Sequence, residues 1–263
     1  MEEIGFGVCR LSLVSVRREP ADQSEQVTQL LFGDHYTVLE ESVNKKWIRI
    51  RIYFDQYEGW VDTKQYQPIT RDYFNHINDA EFKITTDITS TLLYNKSPKV
   101  VLIGSIIPIS SSELFKMEEQ FAFNGEAKNV GQRRDLEFLR SIAAKYLNSP
   151  YQWGGKGPFG IDCSGFTQMV FKICGYKLAR DASQQVNHGK AVESLATSRQ
   201  GGLAFFENER GKISHTGIVL GENKIIHASG KVRVDQLNEN GIQHSDLKTI
   251  THRLSAIRRI IAE

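Results

Sequence analysis

Residues 150–175 read PYQWGGKGPFGIDCSGFTQMVFKICG and carry the strongest structural signal in the chain. Four apolar side chains in this stretch follow the i, i+3, i+4, i+7 spacing of one helix face: Phe166, Met169, Val170 and Ile173. Gly175 suits the end of that helix, because glycine readily takes the left-handed backbone conformation found there. The pattern predicts a helix that begins near Asp162 or Cys163.

The sequence on both sides of this helix predicts a helix and several strands. Residues 133–147, RRDLEFLRSIAAKYL, place apolar side chains at helical spacing. Downstream, the segments GLAFF, HTGIVLG and KIIHASG read as antiparallel strands. We therefore expect residues 133–263 to form an α+β domain in which a helix packs on an antiparallel sheet.

The N-terminal half is predicted to be all β. Residues 4–68 contain several short strand patterns, and in WIRIRI at 47–52 apolar and polar side chains alternate. This texture is typical of a small barrel. A second run of short strands, KITTDITSTLLY and KVVLIGSIIPI, predicts another small β module over residues 80–130.

The composition of the chain limits the classes of partner that it could bind. The 263 residues include 33 Lys and Arg against 31 Asp and Glu, a net charge of +2, which favours neither nucleic acid nor an anionic membrane. The longest apolar stretch is far shorter than the ~20 residues that span a bilayer. Glu2 and Glu3 stand where a secretory signal would be basic. We expect a monomer, which is cytoplasmic if Met1 is the natural start and periplasmic or exported otherwise.

The three cysteines, Cys9, Cys163 and Cys174, are too few for a disulfide framework. At the first turn of a helix, Cys163 would feel the positive end of the helix dipole, which favours thiolate over thiol. Cys163 is therefore a candidate nucleophile, and the alternative is a buried structural cysteine. We expect Cys174 to be structural.

Two histidines could supply the base that a thiol needs. His215 and His227 are symmetric about Gly221, so a hairpin with an odd loop would place them directly opposite each other on one face. His215 could then take the thiol proton while His227 orients it. An even loop would put them on opposite faces, and satisfied core histidines are the alternative reading. The remaining histidines are expected at the surface: His35, His76, His188, His244 and His252.

These residues resemble a known family. The segments DCSGF, SHTGI and IIHASG, within about residues 133–263, look like the catalytic domain of the NlpC-type papain-like cysteine peptidases that cut bacterial cell-wall peptides. The resemblance implies that Cys163 is the nucleophile, His215 the base and His227 the third polar residue, with no cofactor. It also implies that Tyr151 lies beside the thiol and assists the oxyanion, together with the Cys163 amide.

SH3-like barrels ahead of such a domain resemble the bacterial γ-D-glutamyl-L-diamino acid endopeptidases. The resemblance implies a murein peptide, L-Ala-γ-D-Glu-diamino acid with a free amine, as substrate, and a role in cell-wall peptide recycling. It further implies a set of substrate-binding residues: Asp162, Ser164, Ser183, Glu25 and Tyr57. The alternatives are a helix N-cap for Asp162 and surface or strand-packing roles for Glu25 and Tyr57.

The chain departs from the family pattern in one segment, and two alternative functions stay open. This chain reads QGGLAFF where the family usually reads PGDLAFF, so Gly202 replaces an aspartate and Arg180 is a candidate to have lost its partner. A zinc hydrolase with Cys163, His215 and His227 as ligands is one alternative function. A non-catalytic cell-wall-binding protein is another.

Overall fold

The computed structural model describes residues 3–79, 82–108 and 121–261. The chain divides into two compact units, one made of Met1–Gln132 with Gly154–Pro158 and the other of Arg133–Trp153 with Phe159–Glu263. The predicted barrel at 4–68 and the predicted second module at 80–130 both fall in the first unit, and their boundaries stay predictions. No helix in the described part of the chain is long and apolar enough to cross a membrane.

The first unit contains a seven-stranded antiparallel sheet in the order β3-β2-β6-β5-β4-β1-β7. Its strands are β1 Gly5–Val8, β2 Leu13–Arg17, β3 Gln26–Leu31, β4 His35–Glu41, β5 Trp47–Ile52, β6 Glu58–Asp62 and β7 Pro68–Ile69. The predicted alternation in β5 is present, because Ile48, Ile50 and Ile52 are buried while Arg49 and Arg51 are only half-buried. Burial of one face of these strands stabilises the sheet.

The rest of the first unit consists of short elements. They are a 3-10 helix Thr63–Gln65, α1 Arg71–Asp79, β8 Lys83–Thr85, β9 Thr89–Tyr94, β10 Ser97–Leu102, β11 Ile106–Ile107, β12 Phe121–Asn124, β13 Ala127–Asn129 and β14 Lys156–Gly157. Two three-stranded sheets, β10-β9-β12 and β11-β8-β13, arise from the second run of predicted strands. Ile109, the last residue of that run, lies outside the described residues.

A buried ion pair holds the segment Gly154–Pro158 in the first unit. The Nζ atom of Lys156 lies 3.8 Å from Oδ2 of Asp34, and both side chains are 1% exposed. The Lys156 amide also donates to Oε1 of Gln29 at 2.8 Å. Because a buried charge is stable only with a partner, Lys156 and Asp34 depend on each other.

The second unit combines helices with one antiparallel sheet, as the sequence predicted. Its elements are α2 Leu136–Lys145, β15 Gly160–Ile161, α3 Cys163–Ile173, α4 Ala182–Gln185, β16 Lys190–Val192, β17 Leu203–Glu207, β18 Ile213–Gly221, β19 Lys224–Ser229, β20 Lys231–Asn238, β21 Gly241–Gln243 and β22 Ile250–Arg259. The sheet order is β16-β22-β17-β18-β19-β20-β21, and β21 also pairs with β22. This last pairing closes six strands into a ring.

Both predicted helices of the second unit are present. Helix α2 has Asp135 as its N-cap, with the Phe138 amide donating to the Asp135 side chain. Helix α3 is buried along its whole length and is followed by Gly175 at φ +86°. Because α3 is enclosed on all sides, its first residue is fixed by the core.

The β18–β19 hairpin closes differently from the odd loop expected. Glu222 and Asn223 form a two-residue turn with φ of 49° and 57°, the pattern of a type I′ turn. A bulge between Val219 and Gly221 then shifts the register, so that Gly217 pairs with His227. A bulge adds one residue to one strand, and here it offsets the parity of the even turn.

Candidate active site

The N-terminus of α3 is held by a cluster of buried polar groups. Asp162 caps the helix by accepting from the Gly165 amide at 2.6 Å. The guanidinium of Arg180 grips the same carboxylate with two hydrogen bonds, at 3.0 and 2.6 Å, and also donates to Oγ of Ser164 at 2.9 Å. Asp162 is thus an N-cap, as the alternative reading held.

The expectation that Arg180 lost its partner is wrong. Arg180 is 1% exposed and donates hydrogen bonds to Asp162 and Ser164. A side chain at Gly202 would instead meet backbone oxygens, since its Cβ would lie 3.2 Å from the Arg199 carbonyl and 3.5 Å from that of Arg258. The missing aspartate therefore leaves the Arg180 cluster intact.

Cys163 is the first residue of α3 and is 6% exposed. Its Sγ atom lies 4.0 Å from the Ser214 carbonyl oxygen. Burial, together with a smaller effect of the Asp162 charge, raises the pKa of Cys163 to about 12, against weaker lowering by the Thr216 amide and Arg180. Removal from water thus opposes the helix dipole at this position and favours the neutral thiol.

His215 and His227 lie on one face of the β18–β19 hairpin, but they are not directly opposite each other. Since His227 pairs with Gly217, His215 is its diagonal neighbour. The imidazoles still meet, with Nε2 of His215 2.8 Å from Nδ1 of His227. This contact engages Nε2 of His215 and leaves its Nδ1 outside the pair.

Gly217 makes room for this diagonal contact. A Cβ atom at Gly217 would lie 2.8 Å from Cβ of His227 and 2.8 Å from Cδ1 of Ile225. Any side chain there would collide with the residue directly opposite. The glycine between the two histidines is therefore a steric requirement of the pair.

A buried carboxylate continues the chain of hydrogen bonds beyond His227. Asp235, 2% exposed, accepts from Nε2 of His227 at 3.0 Å and from Arg233 at 2.8 and 2.6 Å through Oδ2, while its Oδ1 accepts from the Ser245 amide at 2.9 Å. Burial alone would raise the pKa of Asp235, but these hydrogen bonds hold it below its usual range. Asp235 is therefore an anion.

Sequence reasoning missed Asp235. The available signal was Arg233 and Asp235 at alternate positions of β20, which share one face of a strand paired with β19. That signal gains meaning only once His227 is known to pair with Arg233.

His252, one of the histidines expected at the surface, is half-buried and is also part of the site. Its ring stacks on His215 with centroids 4.1 Å apart and an angle of 28°. Burial lowers the pKa of His215 well below its ordinary value and lowers those of His227 and of His252, the last to about 4. All three rings are therefore neutral near neutral pH.

His35 is likewise not a surface residue. It is 8% exposed, and its Nε2 lies 2.6 Å from Oδ1 of Asn78. Its ring stacks on Tyr53 in the first unit.

Tyr151 lies close to the thiol. Burial, together with smaller effects of the neighbouring Cys163 and Asp162, raises its pKa to about 12. The hydroxyl is therefore protonated at neutral pH and can donate a hydrogen bond. The structure thus brings together Tyr151, Cys163 and Asp162 in the second unit.

The other predicted binding residues have varied surroundings. Ser164 is buried beside Asp162, whereas Ser183 is exposed on α4. In the first unit, Glu25 pairs with Arg18 at 2.7 Å. Tyr57 packs against the barrel core, and its amide donates to Asp55.

The alternative function, a zinc hydrolase, requires three ligand side chains around one metal ion. Over residues 3–79, 82–108 and 121–261, no three His, Cys, Asp or Glu side chains are grouped to hold a metal ion. The facing nitrogens of His215 and His227 are instead bonded to each other.

Known proteins share this organisation. Residues 148–251 match the model of the NlpC/P60 family, and residues 16–65 match the bacterial dipeptidyl-peptidase Sh3 domain. The chain is 30% identical over 218 residues to the gamma-D-glutamyl-L-lysine dipeptidyl-peptidase of Bacillus subtilis, covering 76% of this chain and 71% of the relative. It is 25% identical over 264 residues to dipeptidyl-peptidase 6 of Lysinibacillus sphaericus, covering 90% and 94%.

A crystal structure of an NlpC/P60 family protein from Bacillus cereus has the same fold. It superposes with a TM-score of 0.80 at 19% identity, covering 98% of this chain and all of that one. An SH3-like unit combined with a helix-and-sheet unit of this kind places the chain among the NlpC/P60 proteins that carry a bacterial SH3 domain. The chain belongs to the NlpC/P60 family, which confirms the resemblance stated from its motifs.

The role of Gly217 can be tested with Gly217→Ala. We expect a loss of about 1–3 kcal/mol in the free energy of unfolding, because the new methyl group overpacks His227 and Ile225. We also expect the imidazole proton shared by His215 and His227 to lose its NMR resonance. Urea unfolding and proton NMR measure the two effects. Gly131→Ala, where a Cβ meets nothing within 4 Å, is the control, and equal behaviour of the two variants would contradict the steric argument.

The protonation state of Cys163 can be read from the ultraviolet absorbance of its thiolate. With the pKa of the thiol raised to about 12, the difference spectrum between the wild type and Cys163→Ser should show no thiolate between about pH 6 and 9. The signal should grow only as the pH rises further, because the thiol loses its proton there. A thiolate band at neutral pH would contradict the neutral state.

Proposed function

We propose that this protein is a cysteine peptidase that hydrolyses the bond between γ-D-Glu and the diamino acid of cell-wall peptides with a free N-terminal L-Ala. The observation that carries the proposal is the His215–His227 pair, in the unit where a buried thiol begins helix α3. The names of two relatives, a gamma-D-glutamyl-L-lysine dipeptidyl-peptidase and a dipeptidyl-peptidase 6, support the substrate class.

The first step is acylation. Sγ of Cys163 attacks the γ-carbonyl carbon of D-Glu and forms a carbon–sulfur bond, while Nδ1 of His215 takes the thiol proton. The carbonyl electrons move to oxygen, where the hydroxyl of Tyr151 and the amide of Cys163 donate hydrogen bonds. Since the thiol and the imidazole are both neutral beforehand, proton transfer accompanies the attack.

The second step releases the products. His215 returns its proton to the nitrogen of the diamino acid as the carbon–nitrogen bond breaks, which leaves a thioester on Cys163. Water then attacks the thioester and gives a proton to His215. The carbon–sulfur bond breaks, the sulfur recovers that proton, and the L-Ala-γ-D-Glu dipeptide leaves.

Recognition of the free amine is the finer part of the proposal. Each carboxylate that the family resemblance implicates already has a cationic partner within its own unit, Asp162 in Arg180 and Glu25 in Arg18. An ammonium group at Asp162 would therefore add hydrogen bonds to a carboxylate that is already paired with a guanidinium. We therefore expect the protein to distinguish a free amine from an acylated one by charge-assisted hydrogen bonds, which contribute about 1.5–3 kcal/mol each.

A requirement for the free amine favours recycling of peptides already released from the wall. A stem peptide still joined to the glycan through L-Ala has an amide in place of the amine and would be a poor substrate. A protein that only binds cell wall would retain peptide without cutting it.

Replacing the thiol and the two rings tests the mechanism. We expect Cys163→Ala to abolish hydrolysis and His215→Ala to reduce kcat/KM by at least about 10³-fold, because acylation needs both groups. His227→Ala should reduce it by about 10- to 100-fold, since an orienting partner improves a base that is still present. Mass spectrometry of the tripeptide L-Ala-γ-D-Glu-L-Lys, and of its diaminopimelate counterpart, measures the released dipeptide.

Cys174→Ala is the matched control, because it removes a buried thiol just beyond the other end of α3. Hydrolysis by Cys163→Ala within tenfold of wild type would overturn the cysteine mechanism. Loss of activity with a chelator, but not with iodoacetamide, would instead support the zinc alternative. Binding of the tripeptide without cleavage by the wild type would support the wall-binding one.

The amine requirement is tested by acetylation. We expect N-acetyl-L-Ala-γ-D-Glu-L-Lys to be cut with a kcat/KM at least about tenfold below that of the free tripeptide, because one charge-assisted hydrogen bond or more is lost. The released dipeptide is followed at equal peptide concentrations. The control acetylates only the side-chain amine of lysine, and similar cleavage of all three peptides would contradict an amine-binding site.

A further inference from the structure

We propose that Asp235 is a positioning residue that sets the tautomers of both histidines, so that Nδ1 of His215 is the bare nitrogen facing the reaction. This inference rests on the proposed function for its catalytic meaning. The hydrogen-bond geometry that carries it is independent of any substrate.

Asp235 can only accept hydrogen bonds. It is a buried anion, and its Oδ2 is approached by Arg233 as well as by Nε2 of His227. An ionised carboxylate has no proton to donate. The hydrogen between Asp235 and His227 must therefore sit on Nε2 of His227.

The hydrogen on Nε2 of His227 then determines the tautomer of both rings. A neutral imidazole with hydrogen on Nε2 has a bare Nδ1, so Nδ1 of His227 accepts from Nε2 of His215 at 2.8 Å. His215 then also carries its hydrogen on Nε2 and keeps Nδ1 bare. Nδ1 is the nitrogen that has to receive the thiol proton.

The opposite arrangement fits the same ring positions. If Nδ1 of His227 carried the hydrogen, Nε2 of His215 would accept it, and Nδ1 of His215 would be protonated and unable to act as a base. Without an acceptor at position 235, little distinguishes the two arrangements. Asp235 therefore selects the competent one without touching the substrate.

Strand pairing gives Asp235 this position. In the β19–β20 register, Ile225 pairs with Asp235 and His227 pairs with Arg233. Asp235 is thus the diagonal neighbour of His227, as His215 is on the other side in β18. Three adjacent strands each contribute one member of the chain on one face of the sheet.

The experiment combines ¹⁵N NMR of the histidine rings with kinetics on L-Ala-γ-D-Glu-L-Lys. In the wild type we expect both His215 and His227 to carry hydrogen on Nε2. In Asp235→Ala, a substantial share of the rings should carry it on Nδ1, and kcat should fall by about 10- to 100-fold with KM little changed. Arg233→Lys is the matched control, because it loses the paired hydrogen bonds to Asp235 but keeps a cation and the carboxylate.

Wild-type tautomers together with a wild-type kcat in Arg233→Lys, and altered tautomers in Asp235→Ala, support the inference. Three results would overturn it: hydrogen on Nδ1 in the wild type, unchanged tautomers in Asp235→Ala, or the same tautomer change in both variants. The first needs no variant, so it stands even if Asp235→Ala does not fold. A wild type that leaves the tripeptide intact would refute the proposed function, whereas the NMR result would still decide the role of Asp235.

Discussion

Two imidazole rings on neighbouring strands can bond diagonally only if no side chain stands between them. In this protein Gly217 provides that gap, and the β18–β19 register places it directly opposite His227. The register in turn depends on the two-residue turn and the bulge that offsets its parity. A shift of one residue would turn His227 to the other face, so the backbone of the hairpin determines whether the histidines meet.

The other half of the site depends on the start of α3. Asp162 caps this helix, and the buried guanidinium of Arg180 neutralises the charge of the Asp162 carboxylate. Removal of Arg180 would take away the cation that lies beside this buried carboxylate, and the pKa of the Cys163 thiol would rise further. The ion pair therefore has an electrostatic consequence for the thiol as well as a structural role.

The sequence predicted the features whose signals are local. Spacing of apolar residues placed α3 from Cys163, and alternation placed strand β5. It did not predict Asp235 or the stacking of His252, because these depend on strand pairing and on closure of the sheet between β21 and β22. It also did not predict the effect of burial on the thiol pKa, since a helix position indicates the dipole but not the depth of burial that opposes it.

The buried, neutral state of the site bears on when the nucleophile forms. Burial favours a neutral thiol in Cys163 and a neutral ring in His215, so a thiolate–imidazolium pair is unfavourable until new interactions stabilise it. A bound carbonyl supplies them, because charge then moves onto an oxygen that meets hydrogen-bond donors. Since oxidants react with the thiolate, a thiol that ionises only during attack is also less exposed to damage between turnovers. The chain of hydrogen bonds from His215 through His227 to Asp235 complements this arrangement. It keeps Nδ1 of His215 without a hydrogen, so that the ring can act as a base while it is neutral.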